Sequence, residues 1–367
     1  MNIVTIGGAT QDVFILHTGA ETQNIATPEG LFEYIMLKEG SKIEVERIAY
    51  ETGGGANNAS FAFKTLGFDV TPFFKLGCDT QAAYVLNRLT SAGIPTDHIV
   101  QTDQYGTGVS FIIPAPSGDR IIFAYRGANA HITNQELPLS LLKTCDQLYI
   151  TSLSGDSAHH LITIVQEAKR HNIPVANNPG GSQLTAGAHM LRKSLPYIDI
   201  LILNASEAQL LLTSMAQNNN QLKQRLIKLK EASSNKLPTL LSHHRIGENV
   251  FSLQDFFTEA LSLGPHTVVV TNGAEGVYVA HDAKIYFHPS IPVPVVNTLG
   301  SGDAFGSSFV GTLAAGKSLE EAIRHGVINA ASTVEHMDAK TGLLTMDELE
   351  RRAQTVDCNL LQAFRRS

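Results

Sequence analysis

Short apolar runs, several of them ending on Gly or Asn, alternate with amphipathic stretches along almost the whole chain. The runs QLYITS (147–152), IPVANN (173–178), DILILN (199–204) and TVVVTNG (267–273) are nearly all apolar through their middles. Such runs suit strands buried on both faces, as in a parallel sheet covered by helices. Between them, stretches such as DSAHHLITIVQEAKRH (156–171) space their apolar residues along one helical stripe. Strand, helix and strand in succession predict βαβ units with right-handed crossovers. The middle and C-terminal parts therefore read as a three-layer α/β core.

The first part is patterned differently. Residues 43–54 alternate, and 107–127 read as two strands joined by a turn at Pro116, Ser117, Gly118 and Asp119. These excursions, about 12–50 and 98–127, predict a small sheet beside the core, placed to act as a lid. In 214–252, polar runs at 218–221 and 233–235 bracket a basic helix at 222–232. That segment reads as a solvated surface insertion or, alternatively, as a functional arm. No internal repeat is visible.

Composition narrows the class. The chain has 367 residues, 43% hydrophobic and 17% charged, long enough to bury a sizeable core without disulfides or a structural metal. Cys78, Cys145 and Cys358 are odd in number and lack ligand spacing, which predicts reduced thiols and a cytoplasmic setting. A net charge of −7 with no long basic run argues against nucleic acid as a partner. No run reaches the ~18 apolar residues of a membrane span. The N-terminus reads as a strand and not as a secretory leader, so a soluble protein without a membrane partner is expected.

Residues 295–316 carry the most chemistry. A strand is expected to end at Val296, a turn holds Gly300, Ser301 and Gly302, and a helix begins near Asp303. Small residues ahead of a helix let backbone N–H groups converge with the positive end of its dipole, making a phosphate or oxyanion site. Asp303 at the mouth of that site either caps the helix or accepts a proton from a nucleophile. Local sequence leaves both readings open.

Five stretches in order extend the picture. NTLGSGD (297–303) resembles the Asp-Thr-x-Gly-Ala-Gly-Asp motif of the ribokinase-like (PfkB) family of carbohydrate and nucleoside kinases. GGGANNASFAFKTLG (53–67) resembles its Gly-Gly-x-x-x-Asn motif, and NASE (204–207) its Asn-x-x-Glu motif. TNGAEG (271–276) looks like its nucleotide turn, and IGGATQD (6–12) like its first strand, which ends on a substrate-binding Asp. The resemblance covers nearly everything except about 214–252.

It implies one kinase domain over 1–367: an αβα sandwich with a mostly parallel sheet, plus a small β-sheet lid. It implies transfer of the γ-phosphoryl group of ATP to a hydroxyl of a sugar or nucleoside. Asp303 would be the catalytic base, with the amides of Gly300, Ser301, Gly302 and Asp303 holding the developing charge. Asp12, Gly54 and Asn58 fall on the acceptor side. Asn204 and Glu207 would organise Mg²⁺ and its waters, Glu207 through water; the alternative is a helix N-cap with a first-turn acid. Thr271, Gly273 and Asn329 would line the ATP pocket, with helix packing as the alternative for Asn329. Arg126, ending the second lid strand, would reach a phosphate or anionic substrate, or else is an exposed edge residue. Family members often dimerise through their lids, and a homodimer is compatible with this sequence.

Some features depart from the pattern or mislead. Asn297 stands where the motif usually has Asp, near a position associated in some members with a monovalent cation, which argues against potassium activation. Ser301 replaces the usual Ala but is small enough to preserve the turn. Gly180 stands where many sugar kinases carry a basic residue, so no particular sugar is implied. GTLAAGKS (311–318) matches a P-loop, yet its residues read as a helix, a Gly316 C-cap and the capping box of the next helix. The adjacent pairs His159, His160 and His243, His244 form no metal face. No dinucleotide fingerprint follows the first strand, which disfavours a dehydrogenase. A silent binding module on the same fold remains as the alternative; the presence of Asp303 with Asn204 and Glu207 argues against it.

Overall fold

The computed structural model describes residues 1–16, 21–27, 30–115, 120–217, 219–228, 238–241, 244–246 and 249–366. The chain opens with β1 (Asn2–Ile6), β2 (Thr10–Leu16), β3 (Glu21–Thr27), β4 (Gly30–Met36) and β5 (Arg47–Gly53), which leads into α1 (Gly55–Thr65). Next come β6 (Asp69–Phe73), β7 (Lys75–Gly77), α2 (Thr80–Ser91), β8 (Val100–Thr102), β9 (Gly108–Pro114) and β10 (Arg120–Tyr125). The middle holds β11 (Gln147–Ile150), α3 (Leu161–Arg170), β12 (Val175–Asn177), α4 (Gly181–Leu184), α5 (Ala188–Ser194), β13 (Ile200–Asn204), α6 (Ala205–Gln217) and α7 (Asn220–Lys228). Then follow β14 (His244–Ile246), β15 (Asn249–Phe251), α8 (Leu253–Ser262), β16 (Thr267–Thr271), β17 (Val277–His281) and β18 (Lys284–His288). Helices α9 (Ser301–Ala314), α10 (Leu319–Val334) and α11 (Met346–Ala353) precede β19 (Gln362–Arg365).

Nine strands form one sheet in the order β19-β18-β17-β16-β13-β12-β11-β1-β6. From β6 to β16 the neighbours run parallel, and β17, β18 and β19 continue antiparallel at one edge. The chain adds β6 on one side of β1, then crosses to β11 on the other. Such a reversal opens a crevice outside the carboxyl ends of the strands.

Consecutive strand residues serve opposite faces of this sheet. Leu148 and Ile150, Leu201 and Leu203, and Val268 and Val270 join one core with residues of α3, α6 and α8. Tyr149, Ile202 and Val269, between them, join a second core with α1, α9 and α10. That double burial is why the strands read as uniformly apolar runs.

A separate four-stranded sheet has the order β10-β9-β2-β5. Its strands come from the two N-terminal excursions, while among the described residues β3 and β4 pair only with each other. Residues 116–119, expected to turn between β9 and β10, lie outside the described residues. On one face of this small sheet Asp12 lies in register with Glu51 and Ser110. On the other, Val13, Tyr50, Phe111 and Phe123 form a row across the strands. Within 214–252, α7 covers the start of the basic helix expected at 222–232, of which 229–232 lie outside the described residues, and Leu222, Leu240 and Leu241 are buried against the first core.

One element expected from the sequence does not form. Residues 289–300 are irregular, so no strand ends at Val296, and Val295 and Val296 are exposed. Pro292 and Pro294 lack the N–H groups that a ladder requires. The P-loop match is dissolved as expected: α9 runs to Ala314, Gly316 follows at φ 78°, and Ser318 with Glu321 caps α10. Cys78, Cys145 and Cys358 are free thiols. No helix of the described residues is long and apolar enough to cross a membrane.

Candidate active site

Two helices start at the crevice, each from a glycine with positive φ. Gly54 precedes α1 at φ 89° and Gly300 precedes α9 at φ 80°. A Cβ on Gly54 would lie 2.5 Å from the Gly8 carbonyl oxygen; one on Gly300 would lie 2.2 Å from the Ala339 Cβ. Both positions need the backbone freedom and the missing side chain of glycine. The first turn of each helix then presents one polar side chain to the other. Asn58 Nδ2 of α1 donates to Asp303 Oδ2 of α9 at 2.8 Å.

Burial pushes the Asp303 carboxyl up to about 6, against the lowering effect of the Asn58 hydrogen bond and of Lys340; the Asp12 charge adds to the rise. A carboxylate of that basicity is still ionised at neutral pH and suits proton abstraction from a hydroxyl. Ahead of it, Ser301 Oγ donates to the Thr298 carbonyl at 2.9 Å and closes the turn. Gly302 is exposed, with open space where a Cβ would be. The first-turn N–H groups of α9 lack intrahelical acceptors and carry the positive end of its dipole.

Asp12 is almost fully buried on β2. Thr10 Oγ1 donates to its Oδ1 at 2.8 Å. Burial raises the Asp12 pKa, opposed by hydrogen bonds from Thr10 and Ser110 and by the Lys340 charge. Asn58 Oδ1 is buried with no hydrogen-bond partner among the described residues. Beside Asp303 and on the same side as Asp12, that unspent acceptor fits a hydroxyl of a bound small molecule.

The residues expected on the nucleotide side, Asn329 apart, gather at neighbouring strand ends. Asn204 and Thr271 close the parallel strands β13 and β16 as register partners. Asn204 N donates to Glu207 Oε2, and Glu207 N to Asn204 Oδ1, each at 2.9 Å. These two bonds cap the start of α6. Burial also raises the Glu207 pKa, and the charge of Asp303 contributes, so the two carboxylates sense each other. Gly273 opens the turn after β16 at φ 52°, with open space where its Cβ would be. Among the described residues, no three His, Cys, Asp or Glu side chains converge on a metal position.

Asn329 is packed between helices. It is fully buried, donates to Ser308 Oγ at 2.5 Å and accepts from Leu344 N at 2.9 Å. It ties α10 to α9 and to the segment leading into α11. Arg126 is exposed at the start of the short turn Gly127–Ala130, and no described contact takes it to the site. Instead Arg120, at the start of β10, donates to Thr298 Oγ1 in the turn before α9. A partly buried Arg on an otherwise exposed strand distinguishes Arg120, but burial is not visible in the sequence. Lys340, which no motif contains, donates to the Thr52 carbonyl beside Asp12. Asn297 donates through Nδ2 to the Met337 carbonyl at 2.6 Å, a bond that a carboxylate cannot make.

Comparisons with known proteins show the family and the fold. The profile of the pfkB family carbohydrate kinases matches residues 23–237 and 243–346. Ribokinase of Haemophilus influenzae is 29% identical over 307 residues, covering 82% of this chain and 86% of that enzyme. Ribokinase of Bacillus subtilis is 25% identical over 299 residues, covering 81% and 86%. The Arabidopsis thaliana ribokinase complexed with ribose and ATP superposes with a TM-score of 0.70 at 19% identity, over 96% of this chain and 98% of that one. The Burkholderia thailandensis nucleoside kinase bound to inosine gives 0.71 at 17% identity, over 97% and 98%. These two likenesses show a shared fold. The chain belongs to the pfkB family of carbohydrate kinases and is a phosphotransferase of that family.

Proposed function

We propose that this protein transfers the γ-phosphoryl group of ATP to a hydroxyl of a sugar or nucleoside, with Asp303 as general base. The contact between Asn58 and Asp303 carries this reading, because it joins the acceptor side to the turn that faces the phosphates. Asp12 and Asn58 hold the acceptor, with Gly54 letting the chain approach it closely. Asp303 takes the proton from the attacking oxygen, and the amides of residues 300–303 stabilise charge on the transferring group. Arg120, anchored at Thr298, faces the same turn from the small sheet. That sheet covers the acceptor and excludes water, limiting ATP hydrolysis.

Asn204, Glu207, Thr271 and Gly273 form the nucleotide side. Glu207 and Asp303 offer hard oxygen donors that sense each other's charge, which fits a Mg²⁺ ion held largely by phosphate and water. Mg²⁺ would neutralise the phosphates there. The Asn297 bond to Met337 already links the two segments flanking Gly300, so turnover is expected without potassium.

The outward row Tyr50, Phe111 and Phe123 is exposed by 51%, 44% and 57%. A run of large aromatics on an open sheet face favours self-association into a homodimer; sedimentation of Phe123→Glu against wild type tests this. Free thiols and the use of ATP support a cytoplasmic setting.

The reading is tested by ADP release from Mg-ATP with a panel of sugars, sugar phosphates and nucleosides, in wild type and Asp303→Asn. Acceptor-dependent turnover that collapses in the variant is expected. Undiminished turnover in Asp303→Asn would overturn the mechanism, and ATP binding without turnover on any panel member favours a binding module instead.

A further inference from the structure

The segment just past α10 touches both halves of the site. Asp338 accepts from Lys340 N at 2.8 Å and Thr341 N at 2.9 Å, fixing a tight turn. Ala339 packs against Gly300, and Met337 receives the Asn297 amide. From the same turn the Lys340 side chain crosses to the small sheet. Its ammonium donates to the Thr52 carbonyl of β5 and lies 5.3 Å from the centre of the Phe61 ring of α1. Thr52 Oγ1 beside it is buried and unpartnered among the described residues.

The charges facing Lys340 come from every element around it. Asp12 on β2, Glu51 on β5 and Asp338 in its own turn favour its protonated form, while Arg88 on α2 opposes it. Lys340 in turn lowers the pKa of Asp303 on α9. Arg88 is already engaged with Glu51 at 3.4 Å. Asp12 therefore depends on Lys340 for a positive neighbour. A buried Asp facing other carboxylates without that neighbour takes up a proton. A protonated Asp12 loses acceptor capacity toward two adjacent hydroxyls.

We propose that Lys340 is a positioning residue for the acceptor, keeping Asp12 ionised and the Thr52 carbonyl fixed so that Asp12 receives hydrogen bonds from acceptor hydroxyls. This rests on the assignment of Asp12 to the acceptor in the proposed function. It also sets the acceptor chemistry: the end of the molecule nearest Asp12 is uncharged and hydroxylated. A phosphate there would meet Asp12, Glu51, Asp303 and Asp338 with only Lys340 and Arg88 to offset them.

Burial draws the Lys340 ammonium down to about 8, against the pull of Asp12, Asp338 and Glu51. Lys340 is therefore still charged at neutral pH, and acceptor binding in the wild type should weaken toward acid pH, where Asp12 takes up its proton.

The experiment measures kcat and both KM values for Lys340→Met, Lys340→Arg and Asp303→Asn between pH 6 and 9, using the panel compound that wild type phosphorylates best. Lys340→Met should raise the acceptor KM about tenfold or more, leave the ATP KM within about twofold, and move the acid-side rise of acceptor KM to higher pH. Lys340→Arg should restore much of the acceptor affinity. Equal changes in both KM values, an unchanged pH profile, or no rescue by arginine would overturn the positioning role. A sugar phosphate preferred by wild type and lost selectively in Lys340→Met would overturn it too, because Lys340 would then be an anion receptor. Surviving turnover in Asp303→Asn defeats the general-base reading alone, since the acceptor KM still reports on Lys340. Absence of turnover on every panel compound would overturn both.

Discussion

Asn58 and Asp303 are 245 positions apart, yet their side chains meet at 2.8 Å across the first turns of two helices. The bond does two things at once. It points the amide that would hold the acceptor at the carboxylate that would deprotonate it, and it restrains the rise in pKa that burial imposes on Asp303.

The pH–rate profile should follow. In wild type the acid limb of kcat/KM is expected near pH 6, where Asp303 gains its proton. Asn58→Ala removes a hydrogen bond that favours the ionised form, so the limb should move to higher pH while acceptor KM rises. A limb that stays in place would show that the titrating group is not Asp303.

Asp303 should also cost stability. Its folded-state pKa is raised from 3.8 to about 6, so the folded protein binds this proton more tightly than the unfolded chain does. Stability on this account is highest below about pH 4 and falls as pH rises to about 6. Asp303→Asn avoids that loss and should be about 3 kcal/mol more stable than wild type at pH 7.5, with the gap closing toward pH 4. Urea denaturation at the two pH values measures it.

Asn329→Ala separates a helix clasp from a nucleotide contact. Loss of its bonds to Ser308 and Leu344 should cost about 1–3 kcal/mol of stability. The ATP KM should change by no more than about twofold. A large rise in ATP KM in a fully stable variant would return Asn329 to the nucleotide pocket.

Arg120 and Arg126 should behave oppositely. Arg120→Ala should lower kcat/KM by about tenfold to a hundredfold, because it removes a cation from the turn facing the phosphates. Arg126→Ala should stay within about twofold of wild type. Steady-state kinetics on the pair decides between them.

Gly54→Ala should destabilise by about 2–4 kcal/mol, since the new Cβ meets backbone atoms of Gly8 and Ala9 at a positive φ. Thermal unfolding reports this directly.

The sheet was legible in the sequence because burial on both faces leaves an unbroken apolar run, as at Leu148, Tyr149 and Ile150. The helix starts at Gly54 and Gly300 were legible because tight turns demand particular residues. Residues 289–300 misled because Val295 and Val296 suit a strand, while Pro292 and Pro294 forbid one. Asn329 was ambiguous for a simple reason: small residues around an amide serve close helix packing and ligand approach equally well. Lys340 was invisible, since its contact with Thr52 spans 288 positions and leaves no local pattern.

The bond between Asn58 and Asp303 has a consequence for the protein's birth. A ribosome adding ~5–20 residues per second needs on the order of 10–50 s to travel from one partner to the other. Throughout that interval the nascent chain holds Asn58 without Asp303. On the proposed mechanism, phosphoryl transfer becomes available only once α9 has docked against α1, and turnover itself reports that this contact has formed.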